Sequence, residues 1–335
     1  MALDGALRGI VVIEVASYIP GPLCAQVLAD MGAEVVKVER PGGDPLRQLD
    51  PRPPDSENPI FAALNRGKRS LELDLKSAIG VATLRELVQR ADILIDGFRP
   101  GVLARLGVGA AVLRAANPRL IYCGLSGYGE ASNWRERAGH DLNFLALAGL
   151  AGMSTVGGVP AMPATQLADM VSGLAAATAV LAAIQQRASS GAGATIDLAM
   201  SDVARWLMVP ALAQRQAGQP LGPERENPLG GGWACYNYYR TADERYLALG
   251  AVEPHFWARF CAALERPEFT EMQFVPAAQT HLQEIIGAII GDQGLTYWLE
   301  RFAELDACIT PVLTLDEVDE LGQHEQRGFG MRFPV

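Results

Sequence analysis

The first stretch of consistent patterning, Ile10 to Val15, is apolar except at Glu14 and reads as a buried strand. Pro20-Gly21-Pro22 reads as a turn, Leu23 to Met31 as a helix and Glu34 to Val38 as a second strand, which together form a βαβ unit. A helix over Ala78 to Arg90 and strands at Asp92 to Asp96 and Leu120 to Leu125 continue the alternation, which predicts a parallel sheet. A small-residue-rich helix at Leu167 to Arg187 precedes a turn at Ser189 to Gly193 and a strand at Thr195 to Ala199. Ser201-Asp202 then caps a long helix running to about Gln216. Past the Gly/Pro-rich stretch Gly218 to Gly232 the pattern changes. Aromatic strands at Tyr236 to Arg240 and Tyr246 to Leu249 are followed by helices at about Pro254 to Leu264, Leu282 to Ile290 and Leu295 to Leu305. The fold class expected is α/β, with a Rossmann-like parallel-sheet large domain at 1–200 and a linker helix and loop at 201–232. A smaller α+β domain follows at 233–306, and a segment at 307–335 returns to the large domain.

Composition supports a globular chain with ample core: 335 residues, 49% apolar and 20% charged. A net charge of -10 argues against nucleic acid or an anionic membrane as partner, because both call for a basic surface. The basic residues are nevertheless uneven. The three lysines, Lys37, Lys68 and Lys76, fall in the first quarter with Arg40, Arg66 and Arg69, interleaved with Glu34, Glu39, Glu72 and Asp74. A solvated, salt-bridged face and a site for a phosphate-bearing ligand both account for that cluster. Cys24, Cys123, Cys235, Cys261 and Cys308 are odd in number and widely spaced, which points to neither a disulfide framework nor a zinc site and to a reducing cytoplasm. Asp4 stands where a signal peptide would be basic, and the apolar run Val171 to Ile184 is too short to span a bilayer, so no membrane segment is expected.

The turn after the first strand, Ala16 to Pro22, lacks G-x-G-x-x-G, which disfavours a nicotinamide or flavin dinucleotide at the usual place. Gly139-His140-Asp141, just before the apolar helical run Leu142 to Leu150, offers the more pointed chemistry together with Asp169. An imidazole and a carboxylate in one pocket suit a proton leaving one face of a carbon and returning to the other. A helix-capping or core histidine, with Asp141 as N-cap, is the alternative.

The chain resembles the CoA-transferase family III (CaiB/BaiF), and within it the α-methylacyl-CoA racemases, over nearly its whole length. The likeness is carried by Ile19-Pro20-Gly21-Pro22, the run Met31 to Glu39, Asn65-Arg66-Gly67-Lys68-Arg69-Ser70, Leu73-Asp74-Leu75-Lys76 and Phe98-Arg99-Pro100-Gly101. It continues through Ala138-Gly139-His140-Asp141-Leu142-Asn143-Phe144, Leu167-Ala168-Asp169, Asp197 to Met200 and Gly250 to Pro254.

What the resemblance implies is an acyl-CoA thioester substrate, no metal or organic cofactor beyond the CoA of the substrate itself, a place in fatty acid and lipid metabolism, and an interlocked homodimer. By matching positions, Arg40, the segment Leu73, Asp74, Leu75 and Lys76, the run Gly97, Phe98 and Arg99, and Arg105 would hold the CoA nucleotide and phosphates. Gly139, Asp141, Leu142, Asn143 and Phe144 would pass along the thioester. His140 and Asp169 would flank the α-carbon as the two acid/base groups of a racemisation through an enolate, with the helix-start amide after Asp141 or that of Asp169 as donor to the enolate oxygen. Glu253 would orient His140 from the other subunit, while Asp141 would be structural and His255 a helix-start residue. Transferases of the family generally lack the histidine and use the matching aspartate as a nucleophile. A class III CoA transferase is therefore the alternative, a non-enzymatic acyl-CoA binding protein the third reading. The apolar content around Leu221, Leu229, Trp233 and Tyr236 suggests a branched or bulky acyl chain.

Overall fold

The computed structural model describes residues 5–50, 56–219, 221–223 and 226–327. The ends of the 1–200 and 307–335 assignments lie outside them. The chain divides into two compact units, residues 5–150 with 162–209, and residues 151–161 with 210–327 among those described.

The first unit is built on β1 (Val11–Val15), β2 (Glu34–Glu39), β3 (Arg69–Glu72), β4 (Ile93–Asp96) and β5 (Ile121–Ser126). In the second unit β6 (Thr155–Val156) and β7 (Val159–Pro160) form a short hairpin; β8 (Thr195–Ala199) belongs again to the first. The large sheet has the order β3-β2-β1-β4-β5-β8 and every pairing in it is parallel. Burial explains why the central strands read so clearly: Ile93, Leu94 and Ile95 have no exposed surface, as expected of a sheet covered on both faces. The edge strand β3, Arg-Ser-Leu-Glu, is mostly exposed and lacks an apolar run, so its pattern gives no strand signal.

Three helices carry the site. The first, α1 (Pro20–Asp30), begins at the Pro-Gly-Pro taken above for a turn. Proline in a helix's first turn sacrifices only an amide that has no partner there, so the motif starts the helix. Gly21 is required at that start because a Cβ would stand 2.3 Å from that of Ala16. Helices α2 (Pro59–Asn65), α3 (Ala78–Gln89), α4 (Val102–Arg105) and α5 (Ala110–Ala116) complete the wrapping before α6 (Asp141–Ala148), α7 (Leu150–Met153) and α8 (Leu167–Ser190). At 24 residues, with an 18-residue window of mean hydropathy 1.9, α8 is long and apolar enough to cross a membrane by length and composition, unlike the shorter segment read from sequence. One face of it packs into the core: Ala176, Ala177 and Val180 join the cluster of Leu28, Ile93 and Ile95, and buried Arg187 pairs with Asp92 at 3.0 Å.

The single helix expected from Ser201 to Gln216 is two, α9 (Met200–Trp206) and α10 (Val209–Gln216). Pro210 cannot donate to the preceding turn, which breaks the ladder there. In the second unit, β9 (Tyr236–Arg240), β10 (Tyr246–Gly250) and β11 (Ile309–Pro311) form an antiparallel sheet. Helices α11 (Pro254–Ala263), α12 (Gln279–Gly291) and α13 (Leu295–Phe302) pack Trp257, Phe260, Ile286 and Trp298 into its core, with α14 (Leu315–Leu321) and α15 (Gln323–Gln326) last. β11 pairs with β10, and 307–327 belong to this unit; the remainder of the 307–335 segment lies outside the described residues.

Candidate active site

At the carboxyl ends of the central strands the first unit holds a cavity of about 280 Å³. The turn after β1 gives Ser17 and Tyr18, the turn after β4 gives Gly97, Phe98, Arg99 and Pro100, and β5 contributes Leu125 and Ser126. His140, Phe144 and Asp169 close it. Parallel sheets leave their crevices at that edge, where successive βα turns diverge.

His140 is the N-cap of α6, so Asp141 is the first helical residue rather than the cap. The backbone of the histidine is fixed by its own N–H, which donates to Asn143 Oδ1 at 3.0 Å, while the exposed imidazole faces Tyr18 edge-on with ring centres 6.3 Å apart. Gly139 must be glycine: a Cβ there would meet the Tyr128 hydroxyl at 2.6 Å and the Phe144 ring at 2.9 Å. Asp169 occupies the first turn of α8. Its backbone N–H donates to Asp141 Oδ1 at 3.1 Å, tying the two helix starts together. Helix N-termini favour anions, yet burial and then the neighbouring Asp141 charge push the Asp169 carboxyl up to about 7. A half-buried carboxyl with no ion-pair partner among the described residues thus titrates near neutrality, the range in which an acid/base group works in both directions.

The structure gathers Gly97, Phe98, Arg99, Gly139, His140, Phe144 and Asp169 around one space. Phe144 is buried and forms its floor against Tyr128. Asp141 and Asn143 serve the backbone, as the two hydrogen bonds above show, and Leu142 is exposed. Leu73 and Leu75 pack partly into the core beneath β2, Asp74 caps the amide of Lys76, and Lys76 is exposed. Arg40 is exposed and donates to its own turn at Gly43 O, 3.3 Å. Arg105, at the end of α4, has no carboxylate partner among the described residues; its Nη1 lies 3.2 Å from where a Cβ of Gly101 would be. Glu253 stands in the second unit, exposed, at the N-cap of α11 without capping it, and His255 follows in that helix's first turn.

The basic cluster resolves into two kinds of charge. Lys37 and Lys68 are both buried on Glu14, at 2.7 and 2.8 Å, and Lys37 also reaches Asp44 at 3.0 Å. Arg66 and Arg69 pair at the surface with Asp30 and Glu34. These four are structural, against the reading of the whole cluster as a ligand site. Sequence reading missed Arg135 and Arg137, which line the cavity. Arg135 Nη2 comes within 3.3 Å of the same Gly101 point as Arg105, and its buried Nε has no hydrogen-bond partner. Two guanidinium groups converging without a counter-ion make a ready anion receptor. The available signal was Trp134-Arg135-Glu136-Arg137, directly ahead of the Gly-His-Asp motif. Beside the cavity but not lining it, Asp96 closes β4, accepts from Phe98 N–H at 2.9 Å and from the Tyr122 hydroxyl, and burial holds it at about 6 despite those bonds.

The carboxyl edge of the parallel sheet thus brings His140, Asp169 and several arginines to one part of the first unit. The chain belongs to CoA-transferase family III, whose model matches residues 7–334. It is 37% identical over 330 residues to the human α-methylacyl-CoA racemase, spanning 96% of this chain and 82% of that protein. Against the mouse succinyl-CoA:glutarate CoA-transferase it is 30% identical over 340 residues, spanning 97% and 76%. The crystal structure of Rv3272 from Mycobacterium tuberculosis superposes with a TM-score of 0.84 at 30% identity, covering 99% of this chain and 93% of that one.

Proposed function

We propose that the protein racemises the α-carbon of 2-methyl-branched acyl-CoA thioesters by moving a proton between His140 and Asp169 through an enolate. The observation that carries this reading is the presence of both groups on one cavity, with Asp169 raised to about 7. A carboxyl poised near neutrality donates as readily as it accepts, as return of a proton to the opposite face demands. The identity to the human racemase supports the same assignment. Because the Asp169 amide is engaged by Asp141 and the Asn143 amide by the His140 carbonyl, the donor left for the enolate oxygen is the helix-start amide after Asp141. Arg99, Arg105 and Arg135 would take the CoA phosphates. No metal or further cofactor enters this scheme, and Glu253 would complete the site from a second subunit.

The CoA-transferase among the relatives supports a second reading, in which Asp169 attacks a thioester. Incubating one enantiomer of a 2-methylacyl-CoA with the protein in deuterated water separates the two. Loss of optical activity with deuterium at the α-carbon is expected. Transfer of CoA between free acids, with trapping of Asp169 by hydroxylamine and no α-exchange, would overturn the racemase.

A further inference from the structure

Tyr18 is held in a conformation that its own chemistry disfavours. Its φ of +65° lies in the left-handed region, one of four such non-glycine residues among those described, and a bulky side chain there carries strain that surrounding structure must impose. The source is visible on both sides of the residue. Two residues earlier, the Ala16 carbonyl accepts from buried Lys37 Nζ at 2.8 Å. At Tyr18 itself the backbone N–H donates to Asp44 Oδ1 at 3.4 Å. Asp44 is in turn ion-paired with Lys37, whose other carboxylate partner is Glu14 on β1. A buried ionic group thus grips the β1 turn at both ends. Immediately after Tyr18 the chain enters α1 under the fixed φ of Pro20, so the turn has little room to relax.

That constraint points the ring into the cavity. Tyr18 is 44% exposed although nearly all of the turn's neighbours in β1 are buried, and its ring stands perpendicular, at 84°, to the imidazole of His140. It shares the cavity wall with Asp169. Among the described residues it is the aromatic ring set against His140.

We propose that Tyr18 is a positioning and specificity-determining residue, whose ring holds the His140 imidazole in line with the reacting carbon and limits the width of the acyl group admitted between His140 and Asp169. An edge-to-face aromatic contact restricts imidazole rotation without taking its nitrogens, which leaves them for proton transfer. The inference rests on the acid/base reading above for its kinetic consequence. The contact itself does not.

Three variants of the full-length protein test it: Tyr18→Phe, Tyr18→Leu and Tyr18→Gly. Phenylalanine keeps the ring, leucine removes it while leaving a bulky side chain on the strained backbone, and glycine removes both ring and strain. Tyr18→Gly should therefore fold with an unchanged or higher melting temperature, and yet lose about tenfold or more in kcat with a smaller change in KM, the scale expected of a misplaced proton-transfer group. Tyr18→Phe should stay within about twofold of the parent, and both ringless variants should favour bulkier 2-methylacyl groups relative to the parent. A second readout is independent of turnover. In protein carrying labelled histidine, with the resonance assigned by His140→Gln, the ring-current contribution to the His140 imidazole shift should persist in Tyr18→Phe and vanish in Tyr18→Leu and Tyr18→Gly. If the parent exchanges the α-proton while the ringless variants match it in kcat, acyl preference and His140 shift, the proposal is overturned. If the parent exchanges no α-proton but the His140 shift still follows the Tyr18 ring, the proton-transfer reading fails and the positioning of His140 by Tyr18 stands.

Discussion

Replacing Asp169 by asparagine keeps the shape of the side chain and removes its titration. The folded value of about 7 stands about 3 units above the ordinary aspartate value of about 4. The unfolded chain releases this proton as pH rises past about 4, whereas the folded protein keeps it until about 7, so folding loses stability across that window. At about 1.4 kcal/mol per unit the full difference is about 4 kcal/mol, and solvent reaching the half-buried group reduces it to about 2 kcal/mol. Urea unfolding followed from pH 4 to pH 8 should show the wild type declining relative to Asp169→Asn by about that amount, with the two lines converging at the acid end. The same variant should lose about 10² to 10⁴ in racemisation while His140 still exchanges the α-proton of one enantiomer. Parallel stability lines from pH 4 to pH 8 would refute the argument, because they would mean that burial and Asp141 do not raise the carboxyl.

Two further outcomes follow from the arginines and from the placement of Glu253. Arg105→Ala and Arg135→Ala should each weaken free CoA by about tenfold in calorimetry, the worth of a charge-assisted contact, and unchanged affinity in folded protein would remove that arginine from the site. If Glu253 acts on the histidine of a second subunit, co-refolding His140→Ala with Glu253→Ala chains should restore one intact site per heterodimer, and a mixture no more active than either parent would refute the exchange.

Strands and core were legible in the sequence wherever a run was apolar, as at Ile93 to Ile95, and wherever small residues followed helical spacing, as in α8. The edge strand β3 was not, because a mostly exposed strand with Arg69 and Glu72 at its ends has no run to detect. The break at Leu207 and Met208 was missed although Pro210 announced it. In the site, the Gly-His-Asp motif and Asp169 were visible as residue types, but their shared cavity depends on turns far apart in the chain. Charge was the least legible property. Lys37 and Lys68 look in sequence like Arg40 and Lys76, and only the fold turns the first two inward onto Glu14. Arg135 gave the opposite error: an arginine beside a glutamate reads as a solvated pair, yet it has no carboxylate partner among the described residues and, like Arg105, approaches the backbone at Gly101.

The inward lysines carry a consequence for how this sequence can drift. Glu14, Lys37, Asp44 and Lys68 balance two positive against two negative charges away from water. Neutralising any one leaves an uncompensated buried charge, a loss of about 3 to 5 kcal/mol, whereas an apolar quartet of similar volume would be tolerated or even more stable. No path of single neutral substitutions leads from one state to the other. Descendants of this chain are thus expected to keep the quartet intact or to have exchanged it as a block, and with it the turn that carries Tyr18.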